Sequence, residues 1–297
     1  MVTTSTRLHI PSQPSRIAML KRNQIFIYGI ILVAVSLLPQ KVGAQISIRT
    51  GLADDRIIET GTSYEGTISV VNETDEIQRV NVYQNDYLFY SDGTNLYGTP
   101  GNDPRSNADW IVVSVSSISI PPRQNIDIAY LVTVPESTSS FPLSGSYWSM
   151  IMVEAVPYAS ANDLEQRRQL GVRQKLRYGI QIASHIKNTG QSQLEIKNSA
   201  LSQGENGDTA LVIHVENTGD VMLRPQMWVE LYDLKGNTLG RFDGAQNRIY
   251  PTTSVMQKIH LGLVEPGKYR AIIIMDAGDD EIFGTEVAIE ILESADR

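Results

Sequence analysis

From residue 45 onward, apolar and polar residues alternate with a period of two almost everywhere. That is the spacing of a strand with one face buried, since successive side chains point to opposite sides. Residues 64–71 alternate and stop at the turn cluster Asn72-Glu73-Thr74-Asp75. Val80, Val82 and Tyr83 open the next strand. Residues 91–109 are polar and carry Gly and Pro, which predicts a long surface loop. A β-branched run over 110–120 breaks at Pro121-Pro122, and Ile126, Ile128, Tyr130 and Val132 then alternate until Pro135. The dense apolar run 145–156, closed by Pro157, predicts a central strand. Residues 160–175 are polar, with room for one helical turn around Asp163-Leu164-Glu165-Gln166, and alternation resumes at Tyr178, Ile180, Ile182 and Ile186.

A second set of strands starts near Leu194 and includes 210–216, 227–233, 255–263, 269–275 and 282–292, separated by turns such as Asn217-Thr218-Gly219-Asp220 and Pro266-Gly267. Short strands with evenly spaced turns predict an all-β chain of two tandem immunoglobulin-like β-sandwiches. The boundary is expected at Asn188-Thr189-Gly190, giving domains of 45–189 and 190–297. A weak echo links Val71-Asn72-Glu73-Thr74, Lys187-Asn188-Thr189-Gly190 and Glu216-Asn217-Thr218-Gly219, each following an apolar strand. Its simplest reading is turn chemistry, because Asn and Gly tolerate a left-handed backbone.

Composition adds export to this picture. The first 44 residues hold Arg7, Arg16, Lys21, Arg22 and Lys41 and no acid, leaving 20 basic against 33 acidic residues beyond them. Lys21 and Arg22, the apolar run 25–38 and the small residues Val42-Gly43-Ala44 have the order of a signal peptide cleaved before Gln45, with Met19 as a natural start. The run falls short of the roughly 20 apolar residues of a bilayer span, and no later segment has that length. The mature chain is thus expected to be exported to the periplasm or cell surface without a membrane span. Its net negative charge disfavours nucleic acid and anionic lipid, which need a cationic face. With no Cys, packing alone must stabilise it.

Catalytic patterns are scarce. His9, His185, His214 and His260 show no metal-ligand spacing, so neither a metal nor another cofactor is expected. Ser184 and Lys187 match the S-x-x-K nucleophile pattern, which requires a helix, whereas a strand points the two residues to opposite sides. Asp276, Asp279, Asp280 and Glu281 form an oxygen-rich turn without the ligand order of an EF-hand loop. No enzyme activity is expected.

Four stretches within 54–188 resemble the first domain of periplasmic pilus-assembly chaperones. Arg56-Ile57-Ile58-Glu59-Thr60-Gly61 is similar to the first strand of that family, with a basic residue five before a Gly. Trp110-Ile111-Val112-Val113-Ser114-Val115, followed by residues 118–128, resembles its paired strands around a proline turn. The stretch 146–157, rich in aromatic residues and ending in Pro157, resembles its F strand; residues 178–187 resemble its G strand. The resemblance implies a chaperone-like partner for protein subunits or peptide strands. In it, Arg56 and Lys187 clamp a terminal carboxylate, while Tyr178, Ile180 and Ile182 fill a groove in the partner by strand donation. The second domain looks like a generic immunoglobulin or fibronectin module. A competing resemblance, to surface proteins that partner WxL domains, implies instead a structural or adhesive module binding protein or glycan through loops such as 91–109.

Overall fold

The computed structural model describes residues 45–156, 176–204, 207–278 and 281–292. Within them the chain is built of strands apart from one short 3-10 turn, Ala108–Trp110.

The first sandwich faces two sheets across one core. One sheet runs β1 (Ile46–Ile48), β3 (Ser63–Asn72), β8 (Asn125–Thr133), β6 (Ile111–Val113). The other runs β2 (Ala53–Ile58), β10 (Arg177–Ile186), β9 (Ser146–Val156), β4 (Gln78–Phe89), β5 (Asn95–Gly98), and β7 (Ser117–Ile120) also pairs with β4. All pairings are antiparallel except β2 with β10, which run parallel. The strict alternation of β8 places Ile128, Tyr130 and Val132 inward, where they pack with Ile68, Val80, Ile151, Val153, Ile180 and Ile182. Burying each such side chain stabilises the fold by about 1.5–3 kcal/mol. β9 is central, flanked by β10 and β4, as its dense apolar run predicts.

The run 110–120 divides between the sheets: β6 pairs with β8, whereas β7 crosses over to β4. The polar stretch 91–109 is more ordered than a surface loop, because Asp92 accepts the Thr94 N–H in a turn that returns β5 along β4. The polar residues 160–175 lie outside the described residues, as do 1–44 and Asp279-Asp280 of the acidic turn.

β11 (Leu194–Gln203), β12 (Asp208–Asn217) and β15 (Ser254–Leu263) form one sheet of the second sandwich. β14 (Thr238–Asp243), β13 (Gln226–Asp233), β16 (Gly267–Asp276) and β17 (Ile282–Ile291) form the other. Leu211, Ile213, Met227, Val229, Leu231, Ile259 and Ile273 fill a second core.

Between the two sets of strands, Asn188 and Gly190 both have positive φ. The echo of Asn residues has another cause at its outer two members. Asn72 and Asn217 are fully buried and act through their side chains. Asn72 Nδ2 donates to the carbonyls of Glu76, Ile120 and Pro121, and its Oδ1 accepts from Thr74 N. Asn217 Nδ2 donates to Val221 and Ile249 carbonyls, and its Oδ1 accepts from Gly219 N. Each amide thus ties a loop to the end of a neighbouring strand or bridge, Ile120 of β7 in one case and Ile249 in the other.

Candidate functional site

β10 holds the residues singled out by sequence and is paired unevenly. β9 lies along it from Arg177 to His185, but β2 joins the opposite edge only from Gln181 onward. The hydrogen bonds from Ala155 N to Leu176 O and from Ile186 N to Gly145 O show that even-numbered residues of β10 turn their backbone groups toward β9. Odd-numbered ones turn the other way, and Gln181 N accordingly donates to Leu52 O. At Arg177 and Gly179 no described strand receives those outward groups, because the chain before β2 leaves the sheet for β1. Among the described residues, the first half of β10 is therefore an open edge.

The side chains of β10 divide by face. Ile180 (2% exposed) and Ile182 (0%) are core residues of the first sandwich, and Tyr178 packs half-buried at its margin, donating its hydroxyl to Ile46 O at 3.0 Å. In the unbound chain neither isoleucine projects toward solvent, since the sheet carrying β3 and β8 covers that face. Of the three, Tyr178 alone keeps a partly accessible side chain beside the open edge.

Arg56 on β2 sits opposite Ser184 and shares its inward side. Its side chain is 51% exposed, with Nε 2.7 Å from Asp54 Oδ1 and the guanidinium 5.7 Å from the centre of the Tyr64 ring. Asp54 also accepts the Tyr130 hydroxyl at 2.6 Å. Gly66, opposite Tyr130, makes room for that arrangement: a Cβ there would lie 2.1 Å from the Tyr130 ring. Burial, and then the bond to Asp54, raises the Tyr130 pKa, so the phenol stays a donor. Lys187 follows β10 with opposite parity, 53% exposed, its Nζ 3.1 Å from Glu59 Oε1. The two cations thus lie on opposite faces of one sheet, each with its own carboxylate, and do not converge. Ser184 lies on β10 and is buried, and Lys187 follows that strand in a turn, so the two do not share a helical face.

A polar cluster without any sequence signature joins the sandwiches. Asp55 points to the outer face of β2 and accepts Arg248 Nε at 3.0 Å and the Tyr250 hydroxyl at 3.1 Å, with Arg248 Nη2 at 2.8 Å. His185 Nε2 is 3.9 Å from Asp55, and His185 Nδ1 is 2.8 Å from Ser146 Oγ. Interactions with His185, then Arg248 and Tyr250, hold the Asp55 carboxyl down to about 2 against the opposing effect of burial. Ser146, His185 and Asp55 stand in the order of a nucleophile relay. However, Ser146 is fully buried and its Oγ already accepts Met222 N–H at 2.8 Å. A substrate has no approach to that oxygen, and the cluster fastens one sandwich to the other. Trp148 and Tyr250 stack beside it with ring centres 4.6 Å apart, and Arg105 pairs with Asp220.

No family model and no curated protein sequence matches the chain. Among solved structures it is similar to a chain from a chaperone–tip adhesin complex of CFA/I fimbriae biogenesis, at 14% identity and a TM-score of 0.44, covering 82% of this chain and 98% of that one. It is also similar to the class 5 fimbriae chaperone CfaA, at 14% identity and a TM-score of 0.42 over the same shares. A chain of the Salmonella enterica SafA pilin–SafB chaperone complex aligns at 12% identity and a TM-score of 0.39, covering 84% and 98%.

Proposed function

We propose that this chain is an exported, non-enzymatic binding protein of chaperone type that captures an extended strand of a partner subunit along the open half of β10. The observation that carries this reading is the pair of outward backbone groups at Arg177 and Gly179, in line with β2 yet unpaired by it among the described residues. An added strand would complete the ladder there, and main-chain hydrogen bonds supply affinity in that mode of recognition. Tyr178, and Leu176 before it, offer partly covered apolar surface on the inward side. Arg56 and Lys187 each serve as a carboxylate anchor by exchanging Asp54 or Glu59 for the partner's carboxylate. Lying on opposite faces, they engage a single terminus one at a time. The order of residues 21–44 supports delivery through an export pathway, with maturation before Gln45.

The test is a Gly179→Pro substitution in the full chain, read by capture of envelope proteins in the native host. Proline removes the outward N–H without touching a bond to β9. The circular dichroism spectrum should stay that of the parent while capture is lost. A folded variant that retains its partners normally would sink the strand-capture reading and leave loop-mediated adhesion, for which exposed Leu96 and Tyr97 on β5 are the available surface.

A further inference from the structure

Beside the open edge lies a cleft of about 460 Å³ on the outer face of the same sheet. Gly179 belongs to its lining, so a strand added at the edge would border it directly. Its floor is largely aromatic, with Tyr87 and Phe89 of β4 and Met150 of β9, and Gln181 of β10 adds a polar amide beside Gly179. Its far wall comes from the second sandwich, through Arg224 and the 246–248 segment. Both parts of that wall are fixed. Leu223 and Ile249 exchange backbone hydrogen bonds, Met222 N is bonded to Ser146 Oγ, and Arg248 is bonded to Asp55. A wall held in this way binds without first having to order itself.

The electrostatics of the cleft are opposite to those of the chain. The protein carries a net charge of −8, yet among the described residues no Asp or Glu lines the cleft, and two arginines do. Arg248 is neutralised by Asp55, whereas Arg224 is exposed and makes no ion pair among the described residues. A lone cation above an aromatic floor suits a carboxylate carried next to a flat apolar group.

We infer that this cleft reads the outward side chains of the captured strand and selects an aromatic residue and an acidic residue two positions apart. The inference rests on strand capture at β10. In an extended segment, alternate residues share a face and are spaced about 6.5–7 Å apart, so an aromatic–any–acid triplet presents its ring to Tyr87 and Phe89 and its carboxylate to Arg224. The polypeptide is the source of the carboxylate because the cleft adjoins unpaired backbone groups, which a free small acid would leave unused.

The full chain is tested against immobilised hexapeptides of alternating Val and Thr in which two same-side positions are set to Phe-x-Asp, Asp-x-Phe, Phe-x-Asn or Phe-x-Lys. One of the acidic orders should be retained at least about ten-fold better than Phe-x-Lys, and Arg224→Glu should reverse that preference. Equal retention of acidic and basic peptides, or a preference unmoved by Arg224→Glu, would overturn the assignment. Amide exchange at Gly179 separates it from strand capture. Protection of Gly179 without charge preference leaves strand capture standing and removes the cleft's role. An Arg224-dependent preference without that protection keeps the cleft as a carboxylate site and removes strand capture. Retention of no peptide overturns both, and phenylacetate competing as well as peptide at equal concentration would transfer the cleft to a free acid and overturn the polypeptide.

Discussion

Asn72 and Asn217 occupy matching places at the ends of β3 and β12, and each spends its amide on main-chain carbonyls that link a loop to a neighbouring strand or bridge. Asn217→Ala should therefore cost about 1–3 kcal/mol in urea unfolding, because Val221 O loses its donor and Ile249 O keeps only Leu223 N. Asn217→Asp should cost more, since it places a carboxylate against those carbonyls. A loss below about 0.5 kcal/mol would show that the loops are held by something else. Asp55 gives a second expectation at this scale. Its folded pKa of about 2 lies below the ordinary carboxylate value, so its contribution is complete above about pH 4 and is lost as the pH falls toward 2. With a discount for partial exposure the effect is about 1–2 kcal/mol. Asp55→Asn should remove that part of the acid dependence in urea titrations between pH 5 and 2; an unchanged slope would count against the network. The echo of Asn residues was visible in the sequence, but its meaning was not. A turn residue and a buried amide look alike until the neighbouring carbonyls are known.

Strands carry a different kind of information. Period-two alternation located most of them, and the dense run of β9 marked it as central because a strand flanked on both sides has little polar surface to show. Alternation separates two faces without stating which one a second sheet will cover. Hence the parity that offers Ile180 and Ile182 as donated side chains suits core residues too, and in the unbound chain the sheet of β3 and β8 covers both. Nor does alternation reveal where one apolar run divides between sheets, as residues 110–120 do at β6 and β7. The open half of β10 was likewise illegible, since it depends on where β2 begins to pair. It makes a measurable statement: in the free protein, the Gly179 amide should exchange with solvent at least about a hundred-fold faster than Ala183, whose outward groups lie within the β2 ladder. Comparable protection at both positions would mean that the edge is already occupied. On β2 and just past β10, Arg56→Ala and Lys187→Ala should each change stability by less than about 1 kcal/mol, because both cations are half-exposed in single ion pairs. A loss of binding in either variant can then be assigned to the site and not to the fold.

At the scale of the molecule, two sandwiches were readable from the restart of strand patterns after Asn188-Thr189-Gly190. The joint between them was not, since Asp55, His185, Ser146 and Tyr250 come from distant parts of the chain and share no motif. Tyr250 is the residue on which the joint turns. It is fully buried, stacks on Trp148 of the first sandwich and donates its hydroxyl to Asp55. Removing its ring leaves Trp148 and Ala183 without their apolar cover, a loss of the about 3–5 kcal/mol class for large aromatic residues. Tyr250→Phe keeps the stacking and forfeits one hydrogen bond, about 0.5–1.5 kcal/mol. The two variants should therefore behave differently in calorimetry. The parent and Tyr250→Phe should unfold in one coupled transition, and Tyr250→Ala in two, matching fragments 45–189 and 190–297 expressed alone. Faster proteolytic cleavage between Lys187 and Gln193 should accompany the split, because that link, already exposed, gains the freedom to enter a protease site once the joint opens. If Tyr250→Ala still melts in one step at a lower temperature, the sandwiches are coupled by more than this contact, with Arg105–Asp220, Arg248–Asp55 and the bonds from Met222 N to Ser146 Oγ and from Ser91 N to Ser254 Oγ among the remaining ties. Should the parent itself melt in two steps, the joint closes without coupling the halves, and the far wall of the cleft beside β10 would move independently of its floor.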